Sequence, residues 1–249
     1  MIPKVIHYCW FGGKELPKLA QKCIKSWEKN CPDYEIKRWD ESNFDINLCP
    51  LYVRQAYENK KWAFVTDYVR LKIIYDNGGI YLDTDVEVRK SLDKFLEYNA
   101  FFGFENGKNV NTGSGFGAEK HSSIVERIME QYKDISFIMA DGSYDLTACP
   151  TRNTEVFEEI GLQKNDEFQV LENSIAIFPS EYFCPIHSQT KEKNITSNTY
   201  SIHWFSGSWM PFKTRVIQKS VLLMDCIIGK ERAYKFRQKI KKILKKSLM

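Results

Sequence analysis

Apolar and polar positions follow two different periods along the N-terminal part of the chain, and these periods predict alternating strands and helices. Residues 5–11 form a short apolar run closed by Gly12, and residues 34–39 alternate, so both are predicted strands. Residues 17–27 have helical spacing with a proline in the first turn, and residues 51–59 form a shorter predicted helix. This order predicts an α/β domain with a mixed, mainly parallel sheet flanked by helices.

The next stretch joins a helix to a strand that carries carboxylates. Apolar residues recur at helical spacing from Phe64 to Tyr75, which predicts an amphipathic helix. Gly78 and Gly79 then act as a helix stop, since glycine adopts the left-handed conformation without steric cost. Residues 80–88 are β-branched and apolar apart from central aspartates. Because an uncompensated buried carboxylate is unfavourable, the pattern indicates a divalent cation beside this predicted strand.

The two aspartates, Asp83 and Asp85, are two positions apart, so both side chains would project to one face of an extended strand. Carboxylate oxygens arranged in this way suit Mg²⁺ or Mn²⁺, which can bridge to substrate phosphates. An Asp-x-Asp sequence is also typical of turns and solvated edges. Asp67 and Arg70, at i and i+3 of the preceding helix, would form an ordinary surface ion pair if they stood alone.

The C-terminal half alternates less regularly. Its predicted strands and helices are residues 100–104, 121–132, 154–160, 174–178 and 200–204. Residues 106–117, rich in Gly, Asn and Ser, are predicted to form a functional loop.

The end of the chain is predicted to be helical and basic. Residues 232–246 place lysines and arginines around an apolar stripe, as in a helix that binds an anionic membrane surface. A solvated helix packed by that stripe explains the pattern equally well. The predicted domains are therefore a catalytic domain at residues 1–212 and a basic helical extension at residues 213–249.

Composition narrows the cellular setting. The formal net charge of +4, much of it near the C-terminus, gives no support for a nucleic-acid partner. Seven cysteines without a C-x-x-C pair favour free thiols in a reducing compartment. No segment approaches the roughly 20 apolar residues of a membrane span. We therefore expect a cytoplasmic protein, which would include the inner face of the plasma membrane.

Three sequence blocks together resemble the DXD sugar-binding region of glycosyltransferase family 32, and also look like the glucosyltransferase domain of the large clostridial toxins. They are residues 2–13, Asp67-x-x-Arg70 with Tyr81-x-Asp83-x-Asp85, and His203-Trp204-Phe205-Ser206-Gly207-Ser208-Trp209. The family includes bacterial capsule and lipopolysaccharide enzymes and fungal Golgi mannosyltransferases. The resemblance implies a GT-A fold and retaining, metal-dependent transfer of a hexose or N-acetylhexosamine from a nucleotide-sugar. The implied acceptor is a glycan or a lipid-linked oligosaccharide of a capsule, O-antigen or other surface polysaccharide.

The resemblance also implies roles for individual residues. Asp67 and Arg70 would hold the transferred sugar, with Arg70 also near the diphosphate. Asp83 would reach the ribose or the sugar. The implied ligands of Mn²⁺ or Mg²⁺ are Asp85, Asp83 and His203. The implied donor contacts are Trp10, which would stack on the base, and Tyr81, Asn111, Ser208 and Trp209.

Several alternatives stay open from the sequence. Trp10 matches a uracil-stacking position and favours a UDP-sugar, whereas the fungal relatives use GDP-mannose. Paired aspartates after a strand also serve metal-dependent phosphohydrolases, which would hydrolyse simple phosphate esters. A non-catalytic nucleotide-sugar-binding module would bind a donor without turnover.

Overall fold

The structure, a computed structural model, describes residues 1–207 and residue 229. The chain divides into two units, Met1–Phe205 and Ser206–Met249. Apart from residue 229, the predicted basic extension at residues 213–249 and the predicted boundary before it lie outside the described residues. Within the part that is described, no helix is both long enough and apolar enough to cross a bilayer.

The described residues of the first unit form ten strands and six α-helices. The strands are β1 Val5–Cys9, β2 Glu35–Trp39, β3 Gly79–Tyr81, β4 Val86–Val88, β5 Ala100–Glu105, β6 Asn109–Asn111, β7 Phe116–Ala118, β8 Gln169–Leu171, β9 Ile175–Phe178 and β10 Ser201–His203. The helices are α1 Lys18–Asn30, α2 Leu51–Glu58, α3 Trp62–Asn77, α4 Ser123–Glu130, α5 Cys149–Glu159 and α6 Ser180–Phe183.

Eight of these strands form the main sheet, in the order β2-β1-β3-β7-β5-β9-β8 with β6 paired to β5. β1 is parallel to β2 and β3, and β5 is parallel to β9. β6, β7 and β8 are antiparallel to their neighbours. Five of the eight strands therefore run in one direction, and the predicted α/β fold with a mixed, mainly parallel sheet flanked by helices is confirmed.

The extended strand considered for residues 80–88 does not form, because the chain turns between β3 and β4, and the two aspartates lie just beyond β3. The Val86 N–H donates to the Asp83 carbonyl (2.9 Å) and closes a turn that contains both aspartates. β4 leaves the main sheet and pairs antiparallel with β10, with His203 opposite Val86. The turn therefore directs the two aspartates towards a strand from the C-terminal part of the first unit.

Helix α3 is buried on more sides than an amphipathic helix would be. Val65, Val69, Leu71 and Ile74 are all fully buried. The helix packs against α2, α4 and the strands β1, β3 and β7, so an apolar side chain is favourable on almost every face. Arg70 is the exception, since it is charged and only 3% exposed.

The connection from α3 to β3 depends on two glycines and one histidine. Gly78 ends the helix with φ 69°, and a Cβ on Gly79 (φ 105°) would lie 2.7 Å from the Val5 carbonyl oxygen. His7 Nε2 donates to the Gly78 carbonyl (3.0 Å), while Nδ1 accepts from Trp39 Nε1 (3.0 Å). Burial lowers the pKa of His7 to about 4, so the ring is neutral near neutral pH. A neutral histidine thus holds the turn that leads towards the aspartates.

Candidate active site

A buried arginine on α3 organises one side of the site. Its guanidinium lies 3.1 Å from Asp67 Oδ1, one turn earlier on the helix, and 3.3 Å from Asp83 Oδ1. Arg70 Nε donates to the Thr66 carbonyl (3.0 Å). Burial raises the pKa of Asp67 to about 6 and also raises that of Asp83, while the guanidinium opposes both shifts. The three groups therefore depend on one another for their charges.

Asp83 is held by several further groups of the chain. Its Oδ1 accepts from the Tyr81 hydroxyl (3.1 Å), and its backbone N–H donates to the Gly113 carbonyl (3.1 Å). A Cβ on Gly113 would lie 2.4 Å from Asp83 Oδ2 and 2.8 Å from Arg70 Nη1. The loop after β6 can approach the carboxylate and the guanidinium this closely only because position 113 has no side chain.

Asn111 shapes that loop from the end of β6. It is buried, and its Oδ1 accepts from the Gly113 N–H (2.6 Å) while its Nδ2 donates to Glu105. Both ends of the amide therefore contact the chain itself. The structure places Asn111 next to the acidic cluster through Gly113.

The second side of the site joins β4 to β10. His203, 8% exposed, faces Asp85 with 3.3 Å between Nε2 and Oδ1. The Trp204 N–H donates to the Asp85 carbonyl (3.0 Å) and fixes the backbone there. Burial favours the neutral imidazole, but the Asp85 carboxylate outweighs it and raises the pKa of His203 well above its usual range. One ligand atom from each of Asp83, Asp85 and His203 lies within 4.8 Å of the others.

These three side chains fit a divalent cation. Two carboxylate oxygens and an imidazole nitrogen are donors that Mn²⁺ accepts, and Mg²⁺ shares the preference for the oxygens. An imidazole binds a metal in its neutral form, so a cation held by His203 would replace its proton. Among the described residues this is the one group of three such ligands close enough to hold a metal.

The remaining predicted donor contacts are Trp10, Ser208 and Trp209. Trp10 directly follows β1, where its N–H donates to the Trp39 carbonyl (2.9 Å) and its Nε1 donates to the Lys14 carbonyl (2.6 Å). These hydrogen bonds hold the half-buried indole at the end of β1. Ser208 and Trp209 lie outside the described residues.

Two residues at the site were not predicted. Arg70 Nη1 donates to Cys149 Sγ (3.9 Å), and Cys149, the first residue of α5, is buried. Burial raises the pKa of this thiol well above its usual range, so it stays protonated. A single cysteine gives no signal in one sequence, whereas Gly113 lies within the Gly-, Asn- and Ser-rich segment predicted to be functional.

The chain has sequence similarity to known glycosyltransferases. Residues 17–102 match the family described as "Glycosyltransferase sugar-binding region containing DXD motif". The chain is 26% identical over 231 residues to "Uncharacterized glycosyltransferase L373" of Acanthamoeba polyphaga mimivirus, covering 85% of each chain. It is 38% identical over 104 residues to "Inositol phosphoceramide mannosyltransferase 3" of Schizosaccharomyces pombe, covering 40% of this chain and 29% of that protein.

Solved glycosyltransferase structures are also similar. "PaToxG Glycosyltransferase" has a TM-score of 0.49 and 19% identity, and the match covers 64% of this chain and 69% of that one. A glycosyltransferase involved in glycosylation of the major capsid of PBCV-1 has a TM-score of 0.48 and 14% identity, over 89% and 100% of the two chains. The sequence matches and the DXD turn identify the chain as a glycosyltransferase with a DXD-containing sugar-binding region.

Proposed function

We propose that this glycosyltransferase uses Mn²⁺ or Mg²⁺ to transfer a hexose or N-acetylhexosamine, with retention, from a nucleotide-sugar to a glycan or lipid-linked acceptor. The proposal rests on one observation: ligand atoms of Asp83, Asp85 and His203 lie close together, next to the buried Asp67–Arg70 pair. A cation there would neutralise the charge that develops on the leaving diphosphate.

The residues of the chain would position the donor. Asp67 and Asp83 offer carboxylate oxygens that accept hydrogen bonds from sugar hydroxyls, and Arg70 keeps both carboxylates charged in a buried setting. Tyr81 and Gly113 fix Asp83, so the sugar would meet a preorganised acceptor group.

We propose a front-face course for the reaction. The acceptor oxygen bonds to the anomeric carbon as the bond from that carbon to the phosphate oxygen breaks, and the acceptor's proton passes to the diphosphate. This course gives retention without a nucleophile from the protein, and the sequence nominated none.

The donor nucleotide is proposed to be UDP, with GDP as the second candidate. Trp10, half-buried at the end of β1, favours a UDP-sugar as a stacking partner for uracil. The mannosyltransferases that match residues of this chain raise GDP-mannose as the second candidate. We propose that the acceptor belongs to a surface polysaccharide, and that the basic residues 213–249 bring the protein to an anionic membrane face.

A metal-dependent phosphohydrolase is the weaker alternative. Hydrolases of that type commonly use two metal ions about 4 Å apart. The described residues provide one group of three metal-ligating side chains, which suits a single cation.

A thermal-shift screen of UDP- and GDP-sugars with and without Mn²⁺ tests the proposed function. At a donor concentration of about 100 times its Kd, ligand linkage should raise Tm by roughly 5 °C or more. We expect that shift for one donor class, only with the metal, and not in Asp85→Asn. Release of the nucleoside diphosphate in the presence of a glycan acceptor, which takes the sugar, then measures transfer. No donor shift, or an equal shift in Asp85→Asn, would contradict the proposal.

A further inference from the structure

A hairpin near the C-terminal side of the site carries two lysines. Residues 186–193, here called the 186–193 hairpin, are closed by a bridge between Ile186 and Lys193. The Lys191 N–H donates to the His187 carbonyl (2.9 Å) and tightens the turn. Ile186 is buried, so the base of the hairpin is fixed in the first unit while the turn projects from it.

The side chain of Lys191 contacts Phe205, whose ring packs against His203. Its Nζ lies 4.7 Å from the centre of the Phe205 ring, and that ring lies 4.1 Å from the His203 ring, tilted by 31°. His203 in turn faces Asp85. The ammonium group is therefore separated from a candidate metal ligand by one aromatic ring.

A reciprocal pair of hydrogen bonds holds the hairpin in place. Asn106 Nδ2 donates to Ser188 Oγ (2.8 Å), and the Ser188 N–H donates to Asn106 Oδ1 (2.9 Å). Asn106 directly follows β5, the strand whose Glu105 accepts a hydrogen bond from Asn111. The same turn of the sheet thus positions both the 186–193 hairpin and the loop beside Asp83.

Lys191 differs from the other cation of the site in its partners. Arg70 contacts two carboxylates, which neutralise its charge. Within residues 1–207, no carboxylate oxygen lies within 4 Å of Lys191 Nζ, although Lys191 is half-buried. A half-buried ammonium against an aromatic face retains the capacity to bind an anion.

We propose that Lys191 binds the diphosphate of the nucleotide-sugar donor and stabilises it as a leaving group. This inference rests on the proposed function, since it names a further cation of the same site. The negative charge that develops on the diphosphate during transfer needs a positive group already in place, and Arg70 is engaged with Asp67 and Asp83. Lys191, far from Arg70 in the sequence, supplies that positive charge.

Calorimetric titration of the full chain with UDP and GDP in Mn²⁺ tests this assignment. Hydrogen bonds to charged groups typically contribute about 1.5–3 kcal/mol. Lys191→Gln should therefore lower the affinity for whichever nucleoside diphosphate the wild type binds by roughly 10–100-fold. Binding of the matching nucleoside should not change, and Lys191→Arg should retain most of the diphosphate affinity. The matched control is Lys108→Gln, which removes an exposed lysine from the turn that follows β5 and should bind as the wild type does.

The outcomes separate the two proposals. If the wild type binds neither UDP nor GDP with Mn²⁺, the proposed function fails and this assignment fails with it. If the wild type binds one of them and Lys191→Gln binds it equally well, the Lys191 assignment alone is overturned. Should Lys191→Gln unfold, Asn106→Ala gives a second test, because it releases the hairpin but keeps the ammonium. We expect several-fold weaker diphosphate binding, and unchanged affinity would contradict the assignment.

Discussion

His7 and His203 are both buried histidines on strands beside the site, at 1% and 8% exposed, yet their surroundings drive their protonation in opposite directions. His7 lies between an indole N–H and a backbone carbonyl, and burial lowers its pKa to about 4. His203 faces Asp85, which raises its pKa well above the usual range.

The difference shows that burial alone does not mark a functional group in this protein. The region around His7 excludes charge and serves to fix the turn from α3 to β3. The region around Asp83 and Asp85 retains charge because opposite charges lie within hydrogen-bonding distance of each other. A group that stays charged when buried can exchange its partner for a substrate or a cation, whereas a neutral, doubly hydrogen-bonded ring has nothing to exchange.

Removing the Arg70 guanidinium should cause the largest loss of stability. Arg70→Met would leave Asp67 and Asp83 buried without their partner, and breaking a buried pair in this way costs about 3–5 kcal/mol of unfolding free energy. Urea denaturation measures it. The control is Arg127→Met, which removes an exposed pair with Glu159 and should cost less than about 1 kcal/mol. Equal losses in the two variants would mean that the buried charges do not depend on each other.

The neutral state of His7 should make the stability of the protein depend on pH. Between pH 6.5 and about 4 the unfolded chain binds a proton at His7 and the folded chain does not, so acid favours unfolding. From pH 7 down to pH 4, the wild type should lose on the order of 3 kcal/mol relative to His7→Gln, and no more below that. Denaturant titrations of both proteins across this range measure the difference. A difference independent of pH would show that His7 is not held neutral.

The smallest expected loss of stability comes from adding a methyl group at Gly113, beside Asp83 and Arg70. Gly113 does not have a positive φ, so the effect of Gly113→Ala is expected to come from contacts. Its methyl group would meet Asp83 Oδ2 and Arg70 Nη1, and overpacking of this kind costs about 1–3 kcal/mol. The variant should also weaken Mn²⁺-dependent donor binding, because Asp83 must move. Wild-type stability together with wild-type donor binding would show that the loop yields without disturbing the carboxylate.

Much of the fold could be predicted because its signals are local. The order of strands and helices up to β3 follows from apolar periods and from the glycines after α3. A turn at Asp83 and Asp85 is one of two alternatives from the sequence, whereas the pairing of β4 with β10 could not be predicted, since β10 lies far along the sequence. Helix α5 begins at Cys149, before the predicted start at residue 154. The apolar pattern did not reveal this earlier start because the buried Asn153 is polar.

The candidate site divides in the same way. The spacing of Asp67 and Arg70 placed them on one helix face, and the structure pairs them. The contacts of Cys149 and Lys191 join distant parts of the chain, and neither residue type is distinctive in a single sequence. Their contributions appear only when the folded chain brings them to the charged cluster.

The central claim is that Asp83, Asp85 and His203 hold a divalent cation, and electron spin echo envelope modulation of bound Mn²⁺ tests it most directly. An imidazole nitrogen that coordinates Mn²⁺ gives a ¹⁴N modulation. We expect this signal in the wild type and in His7→Gln, and its loss in His203→Gln. A wild-type spectrum without nitrogen modulation, or a modulation that persists in His203→Gln, would contradict the account.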